Sequence, residues 1–211
     1  MIKAKQERII AYFDELFPDA KGELEYEKDY ELLIAVILSA QATDKSVNAA
    51  TRTFFRKYTS LEQIALLPLE QLEQAFKTIG LYKNKAANIK LTANILLEKH
   101  GGRVPESKEA LLALPGVGIK TSNVVRAELF KIPEIAVDTH VNRVSKRLAF
   151  AKPTDSLAIV EAKLRKTLPR ERYIKTHHQM IFFGRYFCKA KNPRCRECHL
   201  VDICKEKNKN L

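Results

Sequence analysis

Apolar residues recur along most of the 211-residue chain every three or four positions, a spacing that places them on one face of an α-helix. Alternation of apolar and polar residues, which marks a half-buried strand, is almost absent. The pattern therefore predicts an all-α protein with about ten helices. The predicted helices are an N-terminal one ended by Pro18, a buried one at 32–38, one capped at Thr43-Asp44, two with stripes from Leu69 and Ala86, a short one from Ser107, and four at 122–130, 140–148, 156–168 and 172–186.

The connections between these helices are short. Gly80 follows the stripe that begins at Leu69, and we predict that it ends this helix in the left-handed conformation that glycine adopts without cost. At ~150 residues per domain, the length fits one large or two small domains. Because no linker rich in Gly, Ser or Pro is present, two domains would have to pack closely together.

The chain is strongly basic. Its 37 Lys and Arg against 25 Asp and Glu give a net charge of +12 and a pI near 9.5. Residues 1–40 hold five basic and nine acidic residues, a net charge of −4, which leaves +16 on residues 41–211. Such a surface attracts polyanions, and nucleic acid is the first candidate.

Composition excludes several classes of protein. Apolar residues make up 45% and charged residues 29%, with only 7 Gly and 8 Pro, so the chain is neither fibrous nor largely disordered. The longest apolar run, at 32–38, is far shorter than the ~18–20 residues that span a bilayer. Since no apolar signal segment follows the start, we expect a cytoplasmic protein, in a compartment where disulfides are rare.

Four cysteines lie within the last 24 residues, and the first 187 residues contain none. Six, two and five residues separate Cys188, Cys195, Cys198 and Cys204. Two disulfides would staple a small tail, but a metal-ligand set is the better interpretation in a chain without an export signal. Zinc commonly uses two Cys-x-x-Cys pairs, whereas only one pair here has that spacing; the wider outer spacing suits a 4Fe–4S cluster.

A second motif, Leu114-Pro115-Gly116-Val117-Gly118, lies between two predicted short helices. The glycines permit a tight turn and leave backbone N–H groups uncovered at the start of the next helix, which is a ready site for a DNA phosphate. The alternative is an ordinary tight turn between helices. The basic character of the chain favours the phosphate site.

Three motifs in order resemble the helix-hairpin-helix DNA glycosylases: the glycine turn followed by Lys120, the Val-Asp-Thr-His-Val segment with Asp138, and the cysteine spacing. Leu-Ser-Ala-Gln-Ala-Thr-Asp at 38–44 looks like a further signature of that superfamily, and the resemblance covers nearly the whole chain. It implies two interlocked helical domains: a helical barrel with the hairpin at 22–132, and an iron–sulfur domain from 1–21 and 133–211. It also implies that the four cysteines hold a 4Fe–4S cluster.

Lys120 and Asp138 correspond to the catalytic lysine and aspartate of the superfamily, and are then expected to face each other across the cleft between the domains. A lysine amine attacks only when unprotonated, which a helix N-terminus and partial desolvation favour. A carboxylate would stabilise the cationic sugar formed when a base leaves. Apart from the resemblance, the sequence predicts that Asp138 is a helix N-cap and that Lys120 is a solvent-exposed lysine without a catalytic role.

The resemblance implies a bifunctional DNA glycosylase and AP lyase that removes oxidised pyrimidines from duplex DNA. The presence of Lys120 separates the chain from the adenine-removing branch of the superfamily, which lacks this lysine. The protein is expected to be a monomer. Gln41 and Leu81 look like the residues that fill the gap left by an extruded base, although Leu81 also suits a hydrophobic contact at a helix end. His140 is expected either to contact DNA or to hydrogen-bond to a nearby group within the protein. Ile119 stands where the superfamily often has a basic residue. The implied DNA contacts are Gln41, Leu81, Gly116, Gly118, His140, Lys191, Arg194 and Arg196.

Two other classes of protein remain open. A DNA-binding module without catalytic activity could use the hairpin and a zinc loop as clamps. An iron–sulfur electron carrier could dock an acidic protein on its basic surface.

Overall fold

The computed structural model describes residues 2–211. These residues form eleven α-helices and no strand, so the all-α prediction is confirmed. None of these helices is long and apolar enough to cross a membrane. The helices are α1 (Ile2–Leu16), α2 (Asp29–Ser39), α3 (Asp44–Lys57), α4 (Leu61–Leu66), α5 (Leu69–Phe76), α6 (Tyr82–His100), α7 (Lys108–Leu112), α8 (Ile119–Phe130), α9 (Thr139–Arg147), α10 (Leu157–Thr167) and α11 (Tyr173–Phe182).

The chain divides into two compact units: a central unit, Glu23–Phe130, and a terminal unit made of Met1–Gly22 and Lys131–Leu211. The central unit is built around α2, whose residues from Tyr30 to Leu38 are all buried, as the apolar run at 32–38 predicts for most of them. Helices α3, α6 and α8 pack around it. The hairpin is therefore mounted on a rigid apolar core through α8.

The terminal unit has its own core, in which α1, α9, α10 and α11 pack together. Phe13 from α1 and Phe183 at the end of α11 lie with ring centroids 5.1 Å apart. On the same helix pair, Arg172 and Lys175 contact the carboxylate of Asp14 at 2.8 and 2.9 Å. The first helix of the chain is thus fastened to the segment that leads into the cysteines.

Two helical segments differ from the sequence prediction. Helix α4 is missing from it, although Ser60 and Gln63 form a capping box whose side chains pair with each other's backbone N–H. The helix predicted at 172–186 is observed as α11 up to Phe182, and its last turn differs from the prediction in being π-helical, at Phe183–Phe187. The N–H of Cys188 donates to the carbonyl of Phe183 at 2.6 Å, which closes this wide turn just before the first cysteine.

The predicted role of Gly80 is also wrong. Helix α5 already ends at Phe76, and Gly80 does not adopt a left-handed conformation. The left-handed residue is its neighbour Leu81, with φ of 59°. Backbone propensity favours glycine at such a position, so the surrounding structure must impose the conformation on Leu81.

Candidate active site and cysteine cluster

The glycine turn joins α7 to α8 in the central unit and forms a helical hairpin. Gly116 has φ of 78°, and a Cβ there would lie 2.9 Å from the side-chain nitrogen of Asn88. Any other residue would therefore face both a strained backbone and a clash. The hydroxyl of Thr92 donates to the carbonyl of Pro115 at 3.1 Å and fastens the turn to α6.

Gly118 differs from Gly116, because a Cβ at this position would meet no atom within 4 Å. Its carbonyl accepts from the N–H of Ser122 at 2.9 Å and starts α8. Packing within the protein gives no reason for a glycine here, but close approach by an external ligand would. The first turn of α8 also presents backbone N–H groups without helical acceptors to that exposed face.

Lys120 lies in this first turn, directly after Ile119, whose side chain is 59% exposed. The side chain of Lys120 is exposed as well. The expected partial desolvation of its amine is therefore wrong for the protein without DNA.

Asp138 lies in the terminal unit, where it caps the N-terminus of α9. Its Oδ1 accepts a hydrogen bond from the N–H of Val141 at 2.7 Å, and the residue is half-buried. The structure thus shows Asp138 as the N-cap of α9. It is compatible with a further role, because a carboxylate has about four acceptor positions and this cap uses one.

His140 lies in the first turn of α9 and has a partner in the protein. An Nη of Arg143 lies 3.2 Å from its Nδ1, and the same Nη donates to the carbonyl of Gly184 at 2.6 Å. Gly184 is required here, because a Cβ would lie 2.9 Å from Cβ of His140. The ring of His140 is therefore held in place against the turn that precedes Cys188.

Gln41 and Leu81 lie in two turns of the central unit and share an unusual backbone. Their φ angles are 57° and 59°, values that cost a residue other than glycine about 1–2 kcal/mol. The side chain of Gln41 is exposed, and that of Leu81 is 60% exposed. The alternative of a buried contact at a helix end is therefore wrong for Leu81, whose apolar side chain points to solvent.

The four cysteines lie together in the terminal unit as free thiols and line one small pocket. Phe183, Phe187 and Leu148 contribute apolar walls. Burial raises the pKa of the Cys188 and Cys198 thiols. In residues 2–211, no three His, Cys, Asp or Glu side chains are arranged to hold a single metal ion.

Arg147 is the main contact between α9 and the cysteine segment. One Nη donates to the sulfur of Cys188 at 3.3 Å and to the carbonyl of Lys189 at 2.8 Å, while its Nε donates to Glu206 at 2.7 Å. Neither Arg147 nor Arg143 is among the site residues predicted from the sequence. Their i, i+4 spacing on the helix capped by Asp138 was the available signal.

The basic residues of the cysteine loop are not equivalent. Arg194 pairs with the carboxylate of Glu197 and lies 5.0 Å from the ring centroid of Phe187. Arg196 donates to the backbone carbonyl of Leu211 at 2.8 Å, and Lys191 is exposed beside Asn192, which has φ of 51°. The positive charge of Arg194 is thus partly neutralised within the protein.

An all-α chain with a glycine-containing helical hairpin, a lysine in the first turn of its second helix and four clustered thiols has the architecture of a DNA repair glycosylase. The chain belongs to the HhH-GPD superfamily of base excision DNA repair proteins, whose family model matches residues 34–170. This confirms the resemblance inferred from the sequence motifs.

Individual relatives match nearly the full length. The chain is 48% identical over 210 residues to endonuclease III of Bacillus subtilis (strain 168), covering 99% of this chain and 96% of that protein. It is 47% identical over 209 residues to endonuclease III of Escherichia coli (strain K12), covering 99% of each. A solved structure of a trapped covalent intermediate between endonuclease III and DNA has a TM-score of 0.93 and 48% identity, covering 97% of this chain and 96% of that chain.

Proposed function

We propose that the protein is a bifunctional DNA glycosylase and AP lyase that excises oxidised pyrimidines from duplex DNA in base excision repair. The observation that carries this proposal is the nearly full-length similarity to endonuclease III, of which a covalent intermediate with DNA has been trapped. A covalent intermediate needs a nucleophile, and Lys120 lies exposed at the hairpin where DNA would approach. In this proposal the protein is cytoplasmic and is associated with the nucleoid through its binding to DNA.

Lys120 attacks the sugar carbon C1′ of the damaged nucleotide through its neutral amine. The bond from C1′ to the base breaks, and the base leaves with the bonding electrons and takes up a proton. Loss of a proton from nitrogen and opening of the sugar ring give a Schiff base, which acidifies the C2′ hydrogens. Removal of one of them expels the 3′ phosphate by β-elimination, and water then releases Lys120 from the cleaved strand.

Asp138 supplies the negative charge that stabilises the cationic sugar as the base departs. The N-cap hydrogen bond from Val141 fixes its carboxylate and leaves other lone pairs for substrate or a proton. Bound DNA desolvates the amine of Lys120, which the protein alone leaves exposed.

DNA is held by contacts that position it without reading its sequence. The N–H groups around Gly116 and Gly118 bind a backbone phosphate, and the open space at Gly118 is what lets the phosphate approach. Gln41 and Leu81 enter the gap that the extruded base leaves. His140 and three basic residues of the cysteine loop, Lys191, Arg194 and Arg196, complete the contacts.

The four cysteines hold a 4Fe–4S cluster in this proposal. Their shared cavity and the all-thiol donor set fit such a group. When bound, such a cluster would cross-link the loop. Arg147 and the N–H of Glu206 donate to the sulfurs of Cys188 and Cys204.

The domain division inferred from the sequence completes the proposal: a helical barrel at 22–132, and a cluster domain from 1–21 and 133–211. The barrel carries the hairpin and Lys120. The cluster domain carries Asp138 and the cysteine loop.

Replacement of one ligand is expected to remove the cluster. Purified wild-type protein should show the broad visible absorbance of an iron–sulfur cluster, and Cys198→Ala should lose both colour and iron. Its unfolding midpoint should fall by about 10 °C, because several kcal/mol of metal-linked folding energy are lost. Arg196→Ala, in the same loop, is the matched control and should keep its colour. A colourless wild-type protein with one zinc per chain would contradict the assignment.

Borohydride trapping tests the enzymatic proposal directly. Wild-type protein mixed with duplex DNA containing thymine glycol or an abasic site should give a covalent adduct when the reductant is added, and strand cleavage when it is omitted. Salt-sensitive DNA binding without an adduct would instead identify a binding module. Absence of DNA binding in a coloured protein would favour an electron carrier.

A further inference from the structure

The turns that contain Gln41 and Leu81 lie directly against each other in the central unit. A Cβ built on Gly80 would be 4.0 Å from the carbonyl oxygen of Gln41. One turn follows α2 and the other precedes α6. Gln41 and Leu81 are 40 positions apart in the sequence, and both side chains are exposed. Backbone conformations unfavourable for these residues persist only where surrounding contacts hold them.

Lys85 is bonded to both turns. Its Nζ donates to the carbonyls of Leu38 at 2.9 Å and Ala40 at 2.6 Å, and its backbone N–H donates to the carbonyl of Leu81 at 3.1 Å. The residue is only 5% exposed. One buried side chain therefore connects the C-terminus of α2, next to Gln41, with the first turn of α6.

The charge of Lys85 has a specific place in the fold. Helix α2 has no basic residue in its own last turn. The positive charge that stabilises its C-terminal carbonyls is therefore supplied by Lys85 of α6. Burial lowers the pKa of Lys85, which shows that desolvation opposes the charge. A long apolar side chain at this position would suit the core as well, but it would leave the carbonyls of Leu38 and Ala40 without this donor.

We propose that Lys85 is a positioning residue for base extrusion, which holds the Gln41 and Leu81 turns at a fixed separation so that both side chains enter the DNA together. The inference rests on the proposed function, in which these two residues fill the gap. Lys85 itself is buried and acts through them. Its loss should therefore impair reactions that require a base to leave a paired stack, and spare the chemistry of Lys120.

The chain contains a matched control. Lys90 lies on the same helix and also donates through Nζ to two backbone carbonyls, those of Ala65 at 3.2 Å and of Leu67. These carbonyls end α4 and lie outside the two turns. Lys90→Met thus removes the same kind of bond from the same helix without touching the Gln41 and Leu81 turns.

Single-turnover assays of Lys85→Met and Lys90→Met test the proposal. On duplex DNA with a paired thymine glycol, Lys85→Met should excise the base about tenfold or more slowly than the wild type, since displaced positioning residues carry costs of this size. On a single-stranded oligonucleotide with an abasic site, borohydride trapping should be unchanged within about twofold. Lys90→Met should match the wild type in both assays. Equal losses on both substrates, or equal effects of the two variants, would overturn the inference.

A double-mutant cycle keeps the test decisive if Lys85→Met folds poorly. Lys85→Gln retains a donor for one carbonyl and should recover part of the duplex activity. In a Leu81→Ala background, replacing Lys85 should cost much less than in the wild type, because the side chain that it positions is gone. Fully additive losses would show that Lys85 does not act through Leu81. Failure of the wild type to form any adduct would reject the proposed function, whereas wild-type trapping with a substrate-independent Lys85 effect rejects only this inference.

Discussion

Lys120→Gln is expected to form no borohydride-trapped adduct with abasic DNA and to lose base excision and strand cleavage by at least about 10³-fold. An amide nitrogen is not a nucleophile, so neither the attack on C1′ nor the Schiff base can form. Glutamine keeps nearly the length of lysine and a similar helix propensity, so α8 should be preserved. The measurement is single-turnover cleavage of thymine glycol duplex, with trapping on the abasic product.

Binding and catalysis separate in the same variant. Because Lys120 is one basic residue on a chain of net charge +12, DNA affinity should fall only a few-fold and the salt dependence by about one counterion. Lys108→Gln is the control, since Lys108 begins the other helix of the hairpin. The Lys108→Gln protein should form the borohydride-trapped adduct at the wild-type level. An undiminished adduct with Lys120→Gln would assign the nucleophile to another amine.

Asp138→Asn is expected to keep the fold and lose about 10²-fold or more in excision rate. Asn caps a helix as well as Asp, so its side-chain oxygen can still accept from the N–H of Val141. The unfolding free energy should therefore change by less than about 0.5 kcal/mol. The negative charge is lost, and with it the stabilisation of the cationic sugar.

Asp138→Ala provides the comparison that distinguishes the two roles of this residue. It removes both the cap and the charge, and should add about 1 kcal/mol of destabilisation to the loss of activity. If Asp138 were only a cap, Asp138→Asn would be fully active while Asp138→Ala would be unstable. Thermal unfolding and single-turnover excision, measured on the same preparations, separate these outcomes.

The helices and the grouping of the chemical motifs could be read from the sequence because their signals are local. The apolar run at 32–38 predicted a helix buried on all sides, and the glycines between two short helices predicted the hairpin. Helix α4 was not predicted, because six residues are too few to show helical periodicity. Its Ser60–Gln63 capping box is a sequence signal that could have indicated its start.

The positions where sequence reasoning failed depend on contacts between distant segments. The left-handed conformation was assigned to Gly80 by propensity, yet the structure places it on Leu81. The end of α11 was extended as a regular helix, although close packing at Gly184 accompanies a π turn before Cys188. In both cases tertiary packing outweighed local preference, which rarely exceeds 1–2 kcal/mol per residue.

By itself, the sequence determined the all-α class, the basic character, the hairpin and the set of four cysteines, since periodicity, charge and motif spacing are properties of the chain alone. Only the tertiary structure decided that the side chain of Leu81 is exposed and that Leu81, and not Gly80, adopts the left-handed conformation. It alone showed that Lys85 and Arg147 donate to carbonyls and a sulfur more than 40 residues away. The physical reason is that a buried cation finds its acceptors in three dimensions, and nothing in the one-dimensional pattern states which carbonyls a fold will leave unpaired.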